Sequence, residues 1–128
     1  MPHRALITIC AILRDRGVDF QCRLAGQGRD EQDVRQAIKS HHLEDHVTLL
    51  LYRTHDELAD WYRACHVVAL PSLSEGIPNA LREALACGRP FVASHVGGIP
   101  EIADPSFSCL IPPGDTVGFA DAFQAYLA

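Results

Sequence analysis

A proline-containing segment, residues 72–79, follows a short β-branched run and precedes an alanine- and leucine-rich one. Pro78 suits the first position of a helix, because its ring fixes φ and the N–H that it lacks would have no helical partner there. The free N–H groups around Gly76, Ile77 and Asn79 would then face outward with the positive end of the helix dipole. Such a helix start can bind an anion, and it needs no lysine to do so.

Glu75 and Glu83 place a carboxylate on each side of this predicted helix start. Glu83 lies one turn after Asn79 on the same helical face, and side chains lean toward the N-terminus of their helix. A carboxylate accepts hydrogen bonds through two oxygens, which matches two neighbouring hydroxyl groups. Phosphate at the helix start and hydroxyl groups at the glutamates together outline a nucleoside diphosphate sugar. The alternative is a pair of ordinary solvated acids, and the apolar neighbours Ala84 and Leu85 make a surface position less expected for Glu83.

The elements that would position these residues alternate between strand and helix patterns. Strands are predicted at 19–25, 47–51, 66–70, 91–93 and 109–111, and helices at 6–13, 30–41, 55–64, 79–87, 100–103 and 115–127. This alternation predicts parallel βαβ units in an α/β fold with a Rossmann-like doubly wound parallel sheet. Ligands of such sheets bind beyond the carboxyl ends of the strands. The loops 26–29, 52–55 and 72–79 are therefore the candidate binding loops.

Composition limits the class of protein further. The 128 residues suit a single domain, 1–128, with one core. A formal net charge of −5 with scattered basic residues argues against nucleic-acid binding. No apolar run reaches the roughly 20 residues of a membrane-spanning helix. Five dispersed cysteines without a C-x-x-C pair favour buried thiols in a reducing, cytoplasmic setting and predict no metal site.

The segment P-S-L-S-E-G-I-P-N-A-L-R-E-A-L-A-C-G-R-P-F-V-A-S-H-V-G-G-I-P-E resembles family 4 of the GT-B glycosyltransferases, whose signature is two glutamates separated by seven residues. The similarity extends from about Leu6, through L-A-G-Q-G, to I-P-P-G-D. It implies the C-terminal, donor-binding half of a retaining glycosyltransferase that transfers a hexose from a UDP- or GDP-sugar to a glycan or lipid-linked acceptor. It also implies polysaccharide biosynthesis without a metal or other cofactor, and it allows peripheral membrane association of the full enzyme.

The resemblance implies a role for each residue of the motif. Glu75 would be the catalytic residue, in contact with the donor sugar near the reacting carbon, and Glu83 would hold the ribose hydroxyls. The residues that would bind the diphosphate are Gly76, Ile77, Pro78 and Asn79. The residues that would line the nucleobase pocket are Tyr52, Arg53 and Thr54. The residues expected at the cleft between the two halves of the enzyme are Gly26 and Gly28.

The sequence departs from the family pattern at its start. The first strand of the domain, its glycine-arginine turn and the lysine that follows have no counterpart, and neither has the N-terminal acceptor domain. The chain is therefore expected to be a fragment of a two-domain enzyme, inactive alone, with apolar strand edges exposed beside the missing strand. The alternative is a non-catalytic nucleotide or nucleotide-sugar binding module that acts with a partner chain.

Local expectations follow at three further places. Ser108 stands where a turn glycine is common, so it would have to tolerate a conformation that glycine prefers. Gly97 and Gly98 are equally compatible with a second phosphate-binding turn and with a tight connection. Trp61 and Tyr62, on a predicted helix, are expected to pack in the core.

Overall fold

The computed structural model describes residues 2–25, 31–50, 54–71, 79–104 and 106–127. Helices and strands alternate along them: α1 (Pro2–Asp15), β1 (Cys22–Ala25), α2 (Glu31–Ser40), β2 (Val47–Leu50), α3 (His55–Ala64), β3 (Val68–Leu70), α4 (Asn79–Ala86), β4 (Phe91–Ser94), α5 (Ile99–Ile102), β5 (Cys109–Ile111) and α6 (Thr116–Leu127). Every predicted helix and strand is present. β1 begins later than predicted, because the residue that pairs with Cys22 is Val47, the first residue of β2.

All strand pairs are parallel, as the alternation of helices and strands predicts. β1 pairs with β2, and β4 lies between β3 and β5. Within the described ranges the strands form a two-stranded and a three-stranded sheet. Both sheets contribute to one hydrophobic core, since Leu24 of β1, Val47 of β2 and Val92 of β4 belong to the same buried cluster.

The central strand β4 shows that helices cover both faces of its sheet. All four of its residues are buried. Val92 belongs to the cluster that contains the buried residues of α1 and α6, whereas Phe91 and Ala93 pack with Leu81 of α4 and with Ile99. Successive side chains of a strand point to opposite faces. The alternation therefore places α1 and α6 on one face and α4 and α5 on the other, which is the doubly wound arrangement.

Glycines and an aspartate define three helix ends. Gly17 and Gly88 follow α1 and α4 with φ of +75° and +71°, the left-handed conformation that a C-terminal cap requires. Asp115 precedes α6, and its carboxylate accepts a hydrogen bond from the Gly118 N–H at 2.9 Å. These helix ends lie within two residues of the predicted ones. In the described part of the chain, no helix combines the length and the apolar character needed to cross a membrane.

The prediction for Ser108 is wrong. His42 is the only non-glycine residue with a positive φ in the described ranges, so Ser108 does not adopt the conformation of a turn glycine. Instead its buried hydroxyl accepts a hydrogen bond from the Phe91 N–H at 3.2 Å, and its own N–H donates to the Asp104 carbonyl at 2.7 Å. The side chain thereby joins the starts of β4 and β5, a contact that a glycine could not make.

Candidate functional site

The three candidate binding loops follow the carboxyl ends of β1, β2 and β3, where the parallel sheet rule places ligands. Most of the residues predicted to form the site lie outside the described residues: Gly26, Gly28, Tyr52, Arg53, Glu75, Gly76, Ile77 and Pro78. Their roles stay predictions. The structure does describe Thr54, the backbone of Asn79, and Glu83, each on an element that borders one of these loops.

In the described residues helix α4 runs over Asn79–Ala86, within the helix that the sequence predicts at 79–87. Leu81 and Ala84 are completely buried on one face of α4, and Leu81 packs with Phe91 and Ala93 of β4. Glu83 follows on the flank of that face and is half-buried. The N–H groups of the first turn of a helix have no acceptor within the helix. Glu83 lies about 6 Å along the helix axis from Asn79, the first described residue of α4.

Tyr62 of α3 lies beside the carboxylate of Glu83. Burial raises the pKa of Tyr62 to about 12, and the negative charge of Glu83 and a hydrogen bond between the two side chains add to the shift. The phenol therefore stays protonated at neutral pH, so that its O–H can donate to the carboxylate. A second contact lies nearby, since the thiol of Cys87, the residue after α4, approaches the Ala59 carbonyl of α3 at 3.9 Å.

The expectation that Trp61 and Tyr62 pack in the core is wrong. Both are half-buried, and neither belongs to the two buried clusters. The Arg23 guanidinium lies 4.4 Å from the centre of the Trp61 ring, a cation–π geometry, and Tyr62 lies beside Glu83. Both rings therefore cover charged neighbours on other elements. Nothing in the local pattern of α3 indicates these partners, because they are brought together only by folding.

Thr54 forms the cap at the start of α3. Its hydroxyl accepts a hydrogen bond from the Glu57 N–H at 3.2 Å, and the Glu57 carboxylate accepts one from the Thr54 N–H at 3.2 Å. This reciprocal pair is a capping box, which the spacing T-x-x-E indicates directly. The hydroxyl of Thr54 is thus engaged in stabilising the helix that follows the second binding loop. Its predicted place in the nucleobase pocket stays a prediction.

The turn after β4 contains the paired glycines. Gly97 has a φ of +54°, and the Ile99 N–H donates to the Val96 carbonyl at 3.2 Å, so the turn is tight and needs glycine for steric reasons. Ser94, the last residue of β4, is fully buried, and its hydroxyl has no hydrogen-bond partner among the described residues. The geometry fits a tight connection and leaves the phosphate-binding alternative open.

The described part of the chain contains no group of three or more His, Cys, Asp or Glu side chains that could hold a metal ion. All five cysteines are free. A hydrogen bond between the thiols of Cys10 and Cys22, together with burial, raises the pKa of Cys10, and the same bond lowers the pKa of Cys22. Both thiols pack at the contact of α1 with β1 and not at the candidate loops.

Comparison with known proteins shows the family. The model of the glycosyl transferases group 1 family matches residues 2–128. The chain belongs to this family. This group 1 glycosyltransferase chain is similar to D-inositol 3-phosphate glycosyltransferase of Pseudarthrobacter chlorophenolicus, with 37% identity over 127 residues that cover 95% of the chain and 30% of the relative. It is also 36% identical over 121 residues to the amylovoran biosynthesis glycosyltransferase AmsK of Erwinia amylovora, covering 89% and 30% of the two chains.

Solved glycosyltransferases share the fold of this group 1 chain. Sucrose-phosphate synthase of Thermosynechococcus elongatus superposes with a TM-score of 0.84 and 28% identity over 98% of the chain and 34% of that protein. Anabaena HepE, in its complex with UDP, superposes with a TM-score of 0.82 and 27% identity over 95% and 34% of the two chains. These matches confirm the predicted family and the GT-B fold. The chain spans about 30% of the length of the relatives that it matches.

Proposed function

We propose that residues 1–128 form the donor-binding domain of a retaining glycosyltransferase and that Glu83 binds the ribose of the nucleotide sugar. The observation that carries this proposal is the position of Glu83, half-buried on α4 one turn after Asn79. A carboxylate there can accept hydrogen bonds from two adjacent hydroxyl groups. The Tyr62 phenol beside Glu83 donates its O–H to the carboxylate. It therefore does not compete with Glu83 as an acceptor for the ribose hydroxyls.

The start of α4 would receive the diphosphate. A helix presents free N–H groups and the equivalent of about half a positive charge at its N-terminus, and a phosphate is the anion that such a site commonly binds. In this proposal the backbone of Gly76, Ile77, Pro78 and Asn79 lies against the diphosphate, and Glu75 lies against the donor sugar. The nucleobase would sit by Tyr52, Arg53 and Thr54, and Gly26 and Gly28 would face the cleft.

The proposal needs no metal ion. A departing nucleoside diphosphate develops negative charge, which fixed dipoles and backbone donors can stabilise in place of a cation. The carboxylates of Glu75 and Glu83 would then be left to bind hydroxyl groups instead of a metal. In this proposal the anomeric configuration of the sugar is retained. The acceptor would be bound by a second domain of the enzyme, since the chain spans only about 30% of the length of its relatives.

Calorimetric titration of the chain with UDP, GDP and ADP tests the proposal. We expect one of these nucleotides to bind, with UDP the first to examine because HepE was solved in complex with UDP. Addition of EDTA should leave the affinity unchanged, because helix N–H groups and glutamate side chains bind the ligand. Failure of all three nucleotides to bind would overturn the proposal, and a loss of binding in EDTA would overturn its metal-free form.

A further inference from the structure

The contact between α3 and α4 involves one face of each helix. On α3, Ala59 and Tyr62 are three residues apart; Cys87, the residue that follows α4, lies four residues after Glu83, and its N–H donates to the Glu83 carbonyl at 3.0 Å. Residues at these spacings are neighbours on a helix surface. The Cys87 thiol meets the Ala59 carbonyl at 3.9 Å, and the Tyr62 hydroxyl meets Glu83. The packing of α3 against α4 thus brings the phenol to the carboxylate.

The orientation of a glutamate matters when it must accept two hydrogen bonds at once. A glutamate side chain has three rotatable bonds, and fixing them in a complex costs entropy that weakens binding. A donor that already holds one oxygen lowers that cost, because the carboxylate is oriented before the ligand arrives. Two oxygens carry about four lone-pair sites, so one bond from a phenol leaves acceptors for a pair of ribose hydroxyls.

We propose that Tyr62 is a positioning residue, which holds the Glu83 carboxylate in the orientation that accepts both ribose hydroxyls of the donor nucleotide. This inference rests on the proposed function of Glu83. Half-burial of both side chains supports it, because a hydrogen bond that is partly shielded from water is stronger than an exposed one. Tyr62 touches no ligand in this role and acts through Glu83.

The first test removes the hydroxyl and keeps the ring. Tyr62→Phe should weaken binding of the preferred nucleotide roughly 3- to 10-fold, the value of one net hydrogen bond. Tyr126→Phe is the matched control, because the Tyr126 hydroxyl also makes a hydrogen bond, to the Phe107 carbonyl at 2.9 Å, but on α6. The control should bind as the wild type does. Equal melting temperatures of the two variants would show that both are folded alike.

The second test separates positioning from packing. A 2′,3′-dideoxy nucleotide has no hydroxyl groups for Glu83 to bind, so Tyr62→Phe should not change its affinity. Equal losses for the ordinary and the dideoxy nucleotide would mean that the phenol only supports the structure, which would overturn the proposal. An unchanged affinity for the ordinary nucleotide would overturn it as well.

The third test does not depend on any ligand. Titration of the ¹³Cζ tyrosine resonances should show a pKa of Tyr62 of about 12, raised by burial and by the neighbouring carboxylate, and a lower value in Glu83→Gln. An unchanged value in that variant would refute the contact itself. If the wild-type chain bound no nucleotide, the proposed function would fail, and the positioning role with it, even where this titration shows the contact.

Discussion

Replacement of Glu83 by glutamine converts the carboxylate at the centre of the proposed site into a carboxamide. Glutamine has nearly the same size and keeps one carbonyl oxygen, but it loses the charge and replaces the second oxygen by an amide donor. Glu83 is half-buried on the flank of α4, away from the fully buried Leu81 and Ala84. The variant should therefore fold normally, and a change in binding would report the carboxylate alone.

The size of the effect follows from the hydrogen bonds that change. Bonds to a charged group contribute about 1.5–3 kcal/mol each, against about 0.5–1.5 kcal/mol for neutral pairs. Two bonds from ribose hydroxyls to a carboxylate would become one bond to an amide oxygen. We expect a loss of about 2–3 kcal/mol of binding free energy, which corresponds to a roughly 30- to 150-fold higher dissociation constant.

Calorimetric titration of wild type and Glu83→Gln with the preferred nucleotide measures this change. Glu44→Gln is the control, because Glu44 is exposed in the turn between α2 and β2 and undergoes the same chemical change. Its affinity should equal that of the wild type, and EDTA should affect none of the three proteins. An unchanged dissociation constant for Glu83→Gln, in a protein that binds the nucleotide, would refute the assignment of the ribose to this carboxylate.

The remaining predictions concern stability. Thr54→Ala removes the cap of α3 and should cost about 1 kcal/mol, seen as a lower melting temperature by circular dichroism; an unchanged value would show that the hydrogen bond to Glu57 contributes nothing. Gly88→Ala forces a side chain into φ of +71° and should lower the urea midpoint by the equivalent of roughly 1 kcal/mol, whereas Gly88→Asn, which tolerates this conformation, should lower it less; equal losses would contradict the strain. The pKa of Tyr62 is raised from 10.0 to about 12, so the unfolded chain loses this proton first, and the stabilisation present below pH 10 is lost between pH 10 and pH 12. Tyr62→Phe should therefore lose less stability over this range in urea unfolding than the wild type does, and an equal loss would contradict the shifted pKa.

Most of the fold could be predicted because its signals are local. The ends of α1 and α4 follow from Gly17 and Gly88. The capping box of Thr54 and Glu57 was equally readable from its spacing. In each case the residues that determine the structure lie within a few positions of one another, so their geometry is set by the chain itself.

The prediction for Ser108 failed for the opposite reason. A position where a turn glycine is common suggests a strained backbone, but the hydroxyl of Ser108 is bound to the N–H of Phe91, on a different strand. The length of β1 was also misjudged, because its start depends on where β2 begins. Both features depend on a partner that is distant along the chain and adjacent only in the folded sheet.

By itself, the sequence determined the alternation of helices and strands, the helix that carries Glu83, the spacing of Glu75 and Glu83, and through these the family. Only the tertiary structure decided that Val92 and Phe91 face opposite helical layers and that Tyr62 lies beside Glu83. The physical reason is the distance along the chain over which each feature is determined. Periods of two and 3.6 residues express the local preference of the backbone, whereas the partner of a side chain on another helix depends on how the two helices pack.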